Sequence, residues 1–188
     1  SGNSCRSTMQ RLTESKIILV TRPTRVAELM RRFNTRSQAK FYVSHLGQDF
    51  SDYEREDEQY AEAIQTVRRT LEPLGRVQPV DRSFLPNFVF GPEDVVVVLG
   101  QDGLVANTVK YLDGQPVVGV NPDPARWDGQ LLPFRVTDLA ELMPEVLQRR
   151  RATKAVTMAR ATLNTGETLH AVNDLFIGPR THTSARYV

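Results

Sequence analysis

The chain has 188 residues, enough for one large domain or one domain and part of a second. Apolar residues make up 40%, somewhat low but sufficient for a sizeable core. Its 24 basic and 22 acidic side chains nearly cancel, leaving a net charge of +2. With no basic stripe interleaved with aromatics, nucleic acid is not suggested as a partner.

Cys5 is the single cysteine and lies in a polar tail. An intramolecular disulfide and a cysteine-rich zinc site are therefore excluded, and a reducing compartment fits. No apolar run is long enough to span a bilayer, and the N-terminal segment lacks the apolar core of a signal peptide. The expected setting is the cytoplasm, with no membrane partner.

Lys16-Ile17-Ile18-Leu19-Val20 reads as a first buried strand. Val26, Leu29, Met30 and Phe33 then fall at helical spacing, with Thr24 as the cap. Arg22 and Arg25 stand at the N-terminal end of that helix. They are within reach of an anion, but nothing local orients them, which favours solvated loop charges. Residues 34–50 are irregular, with a short helix expected from Ser37 to His45 and ended at Gly47. His45 has no metal-ligand spacing to another histidine or cysteine.

Ser51 and Glu54 form a capping box. The helix beyond runs through Tyr60, Ile64, Val67 and Leu71 and stops at Pro73 and Gly75. Its acidic run, Asp52 to Glu58, reads as a solvated face favoured by the helix dipole. A weak strand follows at Arg76–Val80, and Asp81 to Gly91 reads as a loop with two prolines.

Glu93-Asp94-Val95-Val96-Val97-Val98-Leu99-Gly100-Gln101-Asp102-Gly103-Leu104 is the most informative stretch. Five apolar residues in a row, four of them β-branched, indicate a strand buried on both faces of a parallel sheet. Two glycines bracketing one carboxylate end it, and a helix carrying Val105, Val109 and Leu112 follows. Strand, glycine turn and helix form the layout in which an open α/β sheet places a ligand at the carboxyl ends of its strands. Gly100 and Gly103 permit close approach to the main chain, and Asp102 is the only charge in the turn. The same pattern also serves as a plain turn, the aspartate bonding its own backbone.

Pro116-Val117-Val118-Gly119-Val120 is a further buried strand, ending in Asn121-Pro122-Asp123-Pro124. A loop with Trp127 and Asp128 leads to Asp138 and Glu141, a second capping box, and to a helix that Pro144 should kink or divide. Strands alternating with helices argue for a doubly wound, mostly parallel α/β sheet. The α/β domain is expected over residues 13–136. Residues 137–188 are expected to hold a linker helix and antiparallel β material. Within the latter, Asn164-Thr165-Gly166 signals a hairpin between Val156–Leu163 and Thr168–Ile177, and Ala185 opens a third strand. Two or three strands make a poor independent core, so this part reads as a portion of a larger β domain or as one needing a partner.

Four motifs in order resemble the NAD kinase family. Gly100-Gln101-Asp102-Gly103-Leu104 resembles that family's Gly-Gly-Asp-Gly-Thr turn. Pro116 to Asn121 resembles the strand and asparagine that follow it. Asn121-Pro122-Asp123-Pro124-Ala125-Arg126 looks like the Asn-Thr-Asp-Pro-Glu-Arg form of mitochondrial-type members. Met158 to Leu163, then Leu169 to Ile177, resembles the stretch ending in Ala-Leu-Asn-Glu/Asp-Val-Val-Ile.

The resemblance implies a Rossmann-like α/β domain followed by a β-sandwich, and transfer of phosphoryl from ATP, with Mg²⁺ or another divalent cation, to the adenosine ribose 2′-hydroxyl of NAD. It would make Asp102 the carboxylate at that hydroxyl. Gly100, Gly103, Asn121, Asn173 and Asp174 would bind substrate, the last two at the adenosine ribose. A homo-oligomer is also implied. Phosphoryl transfer of this kind needs positioning, a cation against phosphate charge and a carboxylate to orient the nucleophile. Departures from the pattern are Gln101 in place of a glycine, Leu104 in place of a threonine, and no counterpart of the family's later Gly-Ser-Thr-Ala motif. These keep two alternatives open: a relative that binds a dinucleotide or regulates without turnover, and a lipid or sugar kinase with a similar turn.

Overall fold

Residues 15–172 are described by the structure, a computed structural model. Seven strands and five α-helices follow in chain order among them. Strand β1 (Lys16–Thr21) leads to α1 (Arg25–Phe33), α2 (Arg36–His45) and the long α3 (Phe50–Leu71). Next come β2 (Arg76–Asp81), β3 (Val95–Leu99), α4 (Asp102–Val109), β4 (Val117–Asn121), β5 (Phe134–Arg135) and α5 (Leu139–Leu147). The hairpin strands β6 (Ala159–Thr162) and β7 (Thr168–Ala171) complete the set. The chain divides into two compact units, the first ending at Thr153 and the second beginning at Lys154.

The first unit is built on a five-stranded sheet in the order β2-β1-β3-β4-β5, with every pairing parallel. Unbroken apolar strands belong at its centre because both faces are covered. Ile17 to Val20 and all of Val95–Leu99 are buried accordingly. On one face Ile17, Leu19, Val97 and Leu99 pack against Tyr60, Val67 and Leu71 of α3 and Leu139 and Met143 of α5. On the other, Ile18, Val20, Val96 and Val98 meet Leu85, Leu104, Val105 and Leu132. Two helical layers therefore sandwich one sheet, and the fold is doubly wound. Pro79 is tolerated because β2 is an edge strand, where a missing N–H costs no interior ladder bond.

Local signals differ from expectation at several ends. Thr24 caps α1, its hydroxyl accepting from Ala27 N at 3.2 Å. At α3, however, the cap is Asp49 and not Ser51: the Asp49 carboxylate accepts from Ser51 N at 2.9 Å. Ser51 falls inside the first turn, where its backbone N–H and its hydroxyl both donate to the Asp49 carboxylate. Asp138 likewise turns back to accept from Arg135 N at 2.7 Å, closing a 3₁₀ turn over Val136–Asp138, and α5 then runs through Pro144 without division. The expected loop after β2 contains a 3₁₀ turn at Arg82–Asn87 that sends Leu85 into the core.

In the second unit β6 and β7 pair antiparallel, Ala161 opposite Leu169, with Gly166 at φ +86° in the turn. Only glycine takes that angle without strain. The expected continuation of β7 to Ile177 and the strand from Ala185 lie outside the described residues.

Candidate functional site

The connection from β1 leads to one side of the sheet and that from β3 to the other, so the order reverses between these two strands. In open α/β sheets a ligand crevice lies beyond the carboxyl ends of the strands at such a point. Thr21, Leu99 and Asn121 end the three central strands there.

Gly100 leaves β3 with its N–H donating to Val120 O at 3.2 Å. A Cβ at this position would stand 2.8 Å from Leu104 Cδ2 and 3.8 Å from Arg22 Cδ. Gly103, by contrast, has no atom within 4 Å of a built Cβ. Gly100 is packed in place, whereas Gly103 is open to whatever approaches α4.

Asp102 is the first residue of α4, and both its carboxylate oxygens are engaged. Oδ1 accepts from Leu131 N at 2.8 Å and Oδ2 from Gln130 N at 2.9 Å. The carboxylate therefore ties the start of α4 to the turn that follows β4. Each oxygen has further lone-pair capacity, so the group can still accept from an incoming hydroxyl. Asn121 is buried and holds the same connection from the other end: its Nδ2 donates to Trp127 O at 2.8 Å and its Oδ1 accepts from Asp123 N at 3.0 Å. Gly100, Asp102 and Asn121 are thus gathered at one rim of the sheet. Asn173 and Asp174 lie outside the described residues.

Two glycines passed over in the sequence make this arrangement possible. A Cβ at Gly119 would lie 2.0 Å from Leu131 O, so only glycine lets the turn cross β4. Gly129 has φ +64°, and its built Cβ would be 2.9 Å from Asn121 Nδ2.

Tyr60 is the second organising residue. Its buried hydroxyl donates to Leu99 O at 2.6 Å and accepts from Arg22 N at 3.1 Å, so one oxygen joins α3 to the ends of both strands at the reversal. Burial, with a smaller opposing effect from Arg22, pushes its phenol up to about 12.

Arg22 and Arg25 correct the expectation of solvated loop charges. Arg22 is nine-tenths buried, donates to Glu56 Oε1 at 2.8 Å and lies over the Tyr60 ring at 5.2 Å. Arg25 bonds Glu56 and, at 2.8 Å, Asp52. Asp52 also receives two bonds from Arg126, at 2.8 and 3.1 Å, and Arg126 pairs with Asp123 at 3.3 Å. The acidic run of α3 is therefore no simple solvated face. Asp52, Glu56 and Tyr60 stand four apart on one helix face, a spacing that marks them as a group.

Arg126, then Arg25, hold the Asp52 carboxyl well below the usual carboxylate range. Burial pushes Glu56 up, but bonds from Arg22 and Arg25 outweigh it and leave the group lowered. The network bridges β1, α3 and the loop after β4. Beneath it Arg22, Glu56, Tyr60, Pro122, Asp123 and Trp127 line a space of about 10 Å³, which is about one water's worth. Arg22 Nε is buried there with no hydrogen-bond partner among the described residues.

Among the described residues, no three His, Cys, Asp or Glu side chains converge as a metal site. Asp102 is the carboxylate at the rim, and both its oxygens already accept backbone N–H groups. No helix of the described residues is long and apolar enough to cross a membrane.

Fold and site together define a doubly wound α/β domain with the Asp102 turn at the carboxyl ends of its central strands, beside the strand reversal. No family model and no curated protein sequence matches the chain. Among solved structures, the crystal structure of yeast NADH kinase complexed with NADH is similar over 86% of this chain and 48% of that one, at 16% identity and a TM-score of 0.39. The chain spans about half the length of that kinase, and the likeness is one of coarse α/β architecture.

Proposed function

We propose that the chain is a NAD kinase-like phosphotransferase, forming NADP from NAD with ATP and a divalent cation. The observation that carries this reading is Asp102: the only carboxylate of a glycine turn, at the carboxyl end of the central strand, beside the strand reversal. The motif resemblance at Gly100–Leu104 and Pro116–Arg126 supports it.

In this reading the NAD ribose 2′-hydroxyl donates to Asp102, which orients it for in-line attack on the terminal phosphorus of ATP. The bond from that phosphorus to the bridging oxygen breaks, ADP leaves, and the hydroxyl proton passes to the carboxylate or solvent. Gly103 gives the substrate access to the main chain, Gly100, packed against Leu104, keeps the turn closed instead of meeting substrate, Asn121 keeps the rim in shape, and Asn173 and Asp174 bind the adenosine ribose. The cation offsets phosphate charge when nucleotide is bound.

A second reading, dinucleotide binding without turnover, is favoured by a specific observation. Both Asp102 oxygens already accept backbone N–H groups, and Gln101 stands where the family pattern has glycine.

The test is NADP formation by the purified chain with NAD, ATP and Mg²⁺, together with calorimetric titration of NAD. Turnover that is lost in Asp102→Asn while NAD binding persists supports the first reading. Asparagine sets an NH₂ against one of the two backbone donors, so the variant's unfolding midpoint is measured alongside. NAD binding with no turnover supports the second reading, and absence of both refutes the two together.

A further inference from the structure

A second cluster lies away from the crevice, where the last turn of α1 and the length of α2 form an open groove of about 700 Å³. The groove is of small-ligand size, and half of its lining residues are aromatic: Phe33, Phe41, Tyr42 and His45. Ser37, Phe41 and His45 line it at four-residue spacing along α2. Phe41 is 75% exposed, and its ring lies nearly parallel to His45, centroids 6.0 Å apart at 14°. Phe33 and Tyr42 pair at 4.7 Å, and the Arg32 guanidinium covers both rings, at 5.1 and 5.2 Å.

The charges around these rings are unequal in their engagement. Arg36 is matched by Glu54 at 3.0 Å. Arg32 has no carboxylate partner among the described residues, and no acidic side chain lines the groove. Asn34 and Gln38 add amide groups at the rim.

These features select a ligand. A cation would be repelled by Arg32, whose charge no acidic side chain in the groove offsets. A wholly apolar ligand would leave the guanidinium unanswered, and a simple anion would leave the open face of Phe41 in water. A flat ring joined to an anion satisfies both. We propose that the α1–α2 groove binds a nucleobase linked to phosphate, the base stacked on Phe41 and the phosphate on Arg32. This assignment is independent of the Asp102 site.

The probes are AMP and a twelve-residue oligodeoxyadenylate, each titrated into the ¹⁵N-labelled chain while the amide signals of residues 32–45 are followed. The expected result is a saturable shift of these signals with AMP. Phe41→Ala and Arg32→Ala should each weaken it about tenfold, as loss of one stacked base or one charged hydrogen bond does. Both side chains are at the surface, and unchanged circular dichroism verifies the fold. Asp102→Asn should leave these shifts as they are. Tighter binding of the oligomer than of AMP, by tenfold or more, assigns the groove to single strands; equal binding assigns it to free nucleotides. Absence of a saturable shift with either probe, up to about 5 mM AMP, overturns the proposal. So does a shift that both variants leave unchanged.

Discussion

Replacing Tyr60 by phenylalanine isolates one oxygen atom on which the strand reversal depends. The ring volume is kept, so the cavity term of a core truncation is small. What is lost is the donor to Leu99 O and the acceptor for Arg22 N. A buried polar group left without its partner costs about 1–3 kcal/mol, so two of them give about 2–6 kcal/mol. With a urea dependence of about 2 kcal/mol per molar, the unfolding midpoint should fall by about 1–3 M. Trp127, the single tryptophan, lines the crevice beside Tyr60 and serves as the fluorescence reporter.

The same substitution has a signature in alkali. The native phenol titrates at about 12, against an ordinary 10.0. Between those values the folded chain holds a proton that the unfolded chain has released, so stability falls as pH rises through the window. The wild type should lose on the order of 3 kcal/mol there, and Tyr60→Phe should lack that decline. A variant whose urea midpoint stays within about 0.3 M of wild type, with an unaltered alkaline limb, would refute the reasoning.

Gly119→Ala drives a Cβ to 2.0 Å from Leu131 O. Overpacking against backbone should cost at least about 2 kcal/mol in urea unfolding. A cycle with Asp102→Ala should be non-additive by about 1 kcal/mol, because both changes release the same turn. In acid, the lowered Asp52 and Glu56 carboxyls give stability that is present above the ordinary carboxylate range and lost as pH falls below it, since the unfolded chain takes up protons first. Glu56→Gln should flatten this acid limb in unfolding measured from pH 6 to 3, although it lowers stability at neutral pH. Asn121→Ala frees Trp127 O and Asp123 N. A red-shifted Trp127 emission and a loss of about 1–2 kcal/mol are expected.

The centre of the fold is legible in the sequence because its signals are local. Four valines and a leucine in a row can only be a strand covered on both sides, and a glycine-bracketed Asp102 immediately before an apolar helix marks the rim of a parallel sheet. Arg22 and Arg25 were not legible in this way: their partners lie on α3, and a charge beside a turn carries no mark of a carboxylate more than 25 positions away. The four-residue spacing of Asp52, Glu56 and Tyr60 was the available sign that these side chains share one face. Gly119 was hidden for a different reason. It sits inside a hydrophobic strand, where a glycine reads as a small residue, and its necessity comes from a carbonyl contributed by a later turn. Caps were misassigned where two candidates stood close together, as at Asp49 and Ser51.

The position of β1 has a consequence for how the chain reaches this structure. Among the described residues the first strand in chain order is an interior one, and Ile17 waits for Val77 on one side and Val95 on the other. During synthesis Ile17-Ile18-Leu19-Val20, four side chains with no exposure in the finished fold, emerges long before either neighbour exists. Such a stretch is prone to pair with other chains while it waits. Folding of the first unit should therefore be late and concerted, triggered when β3 clears the ribosome, and the nascent chain should depend on chaperones that shield short aliphatic segments.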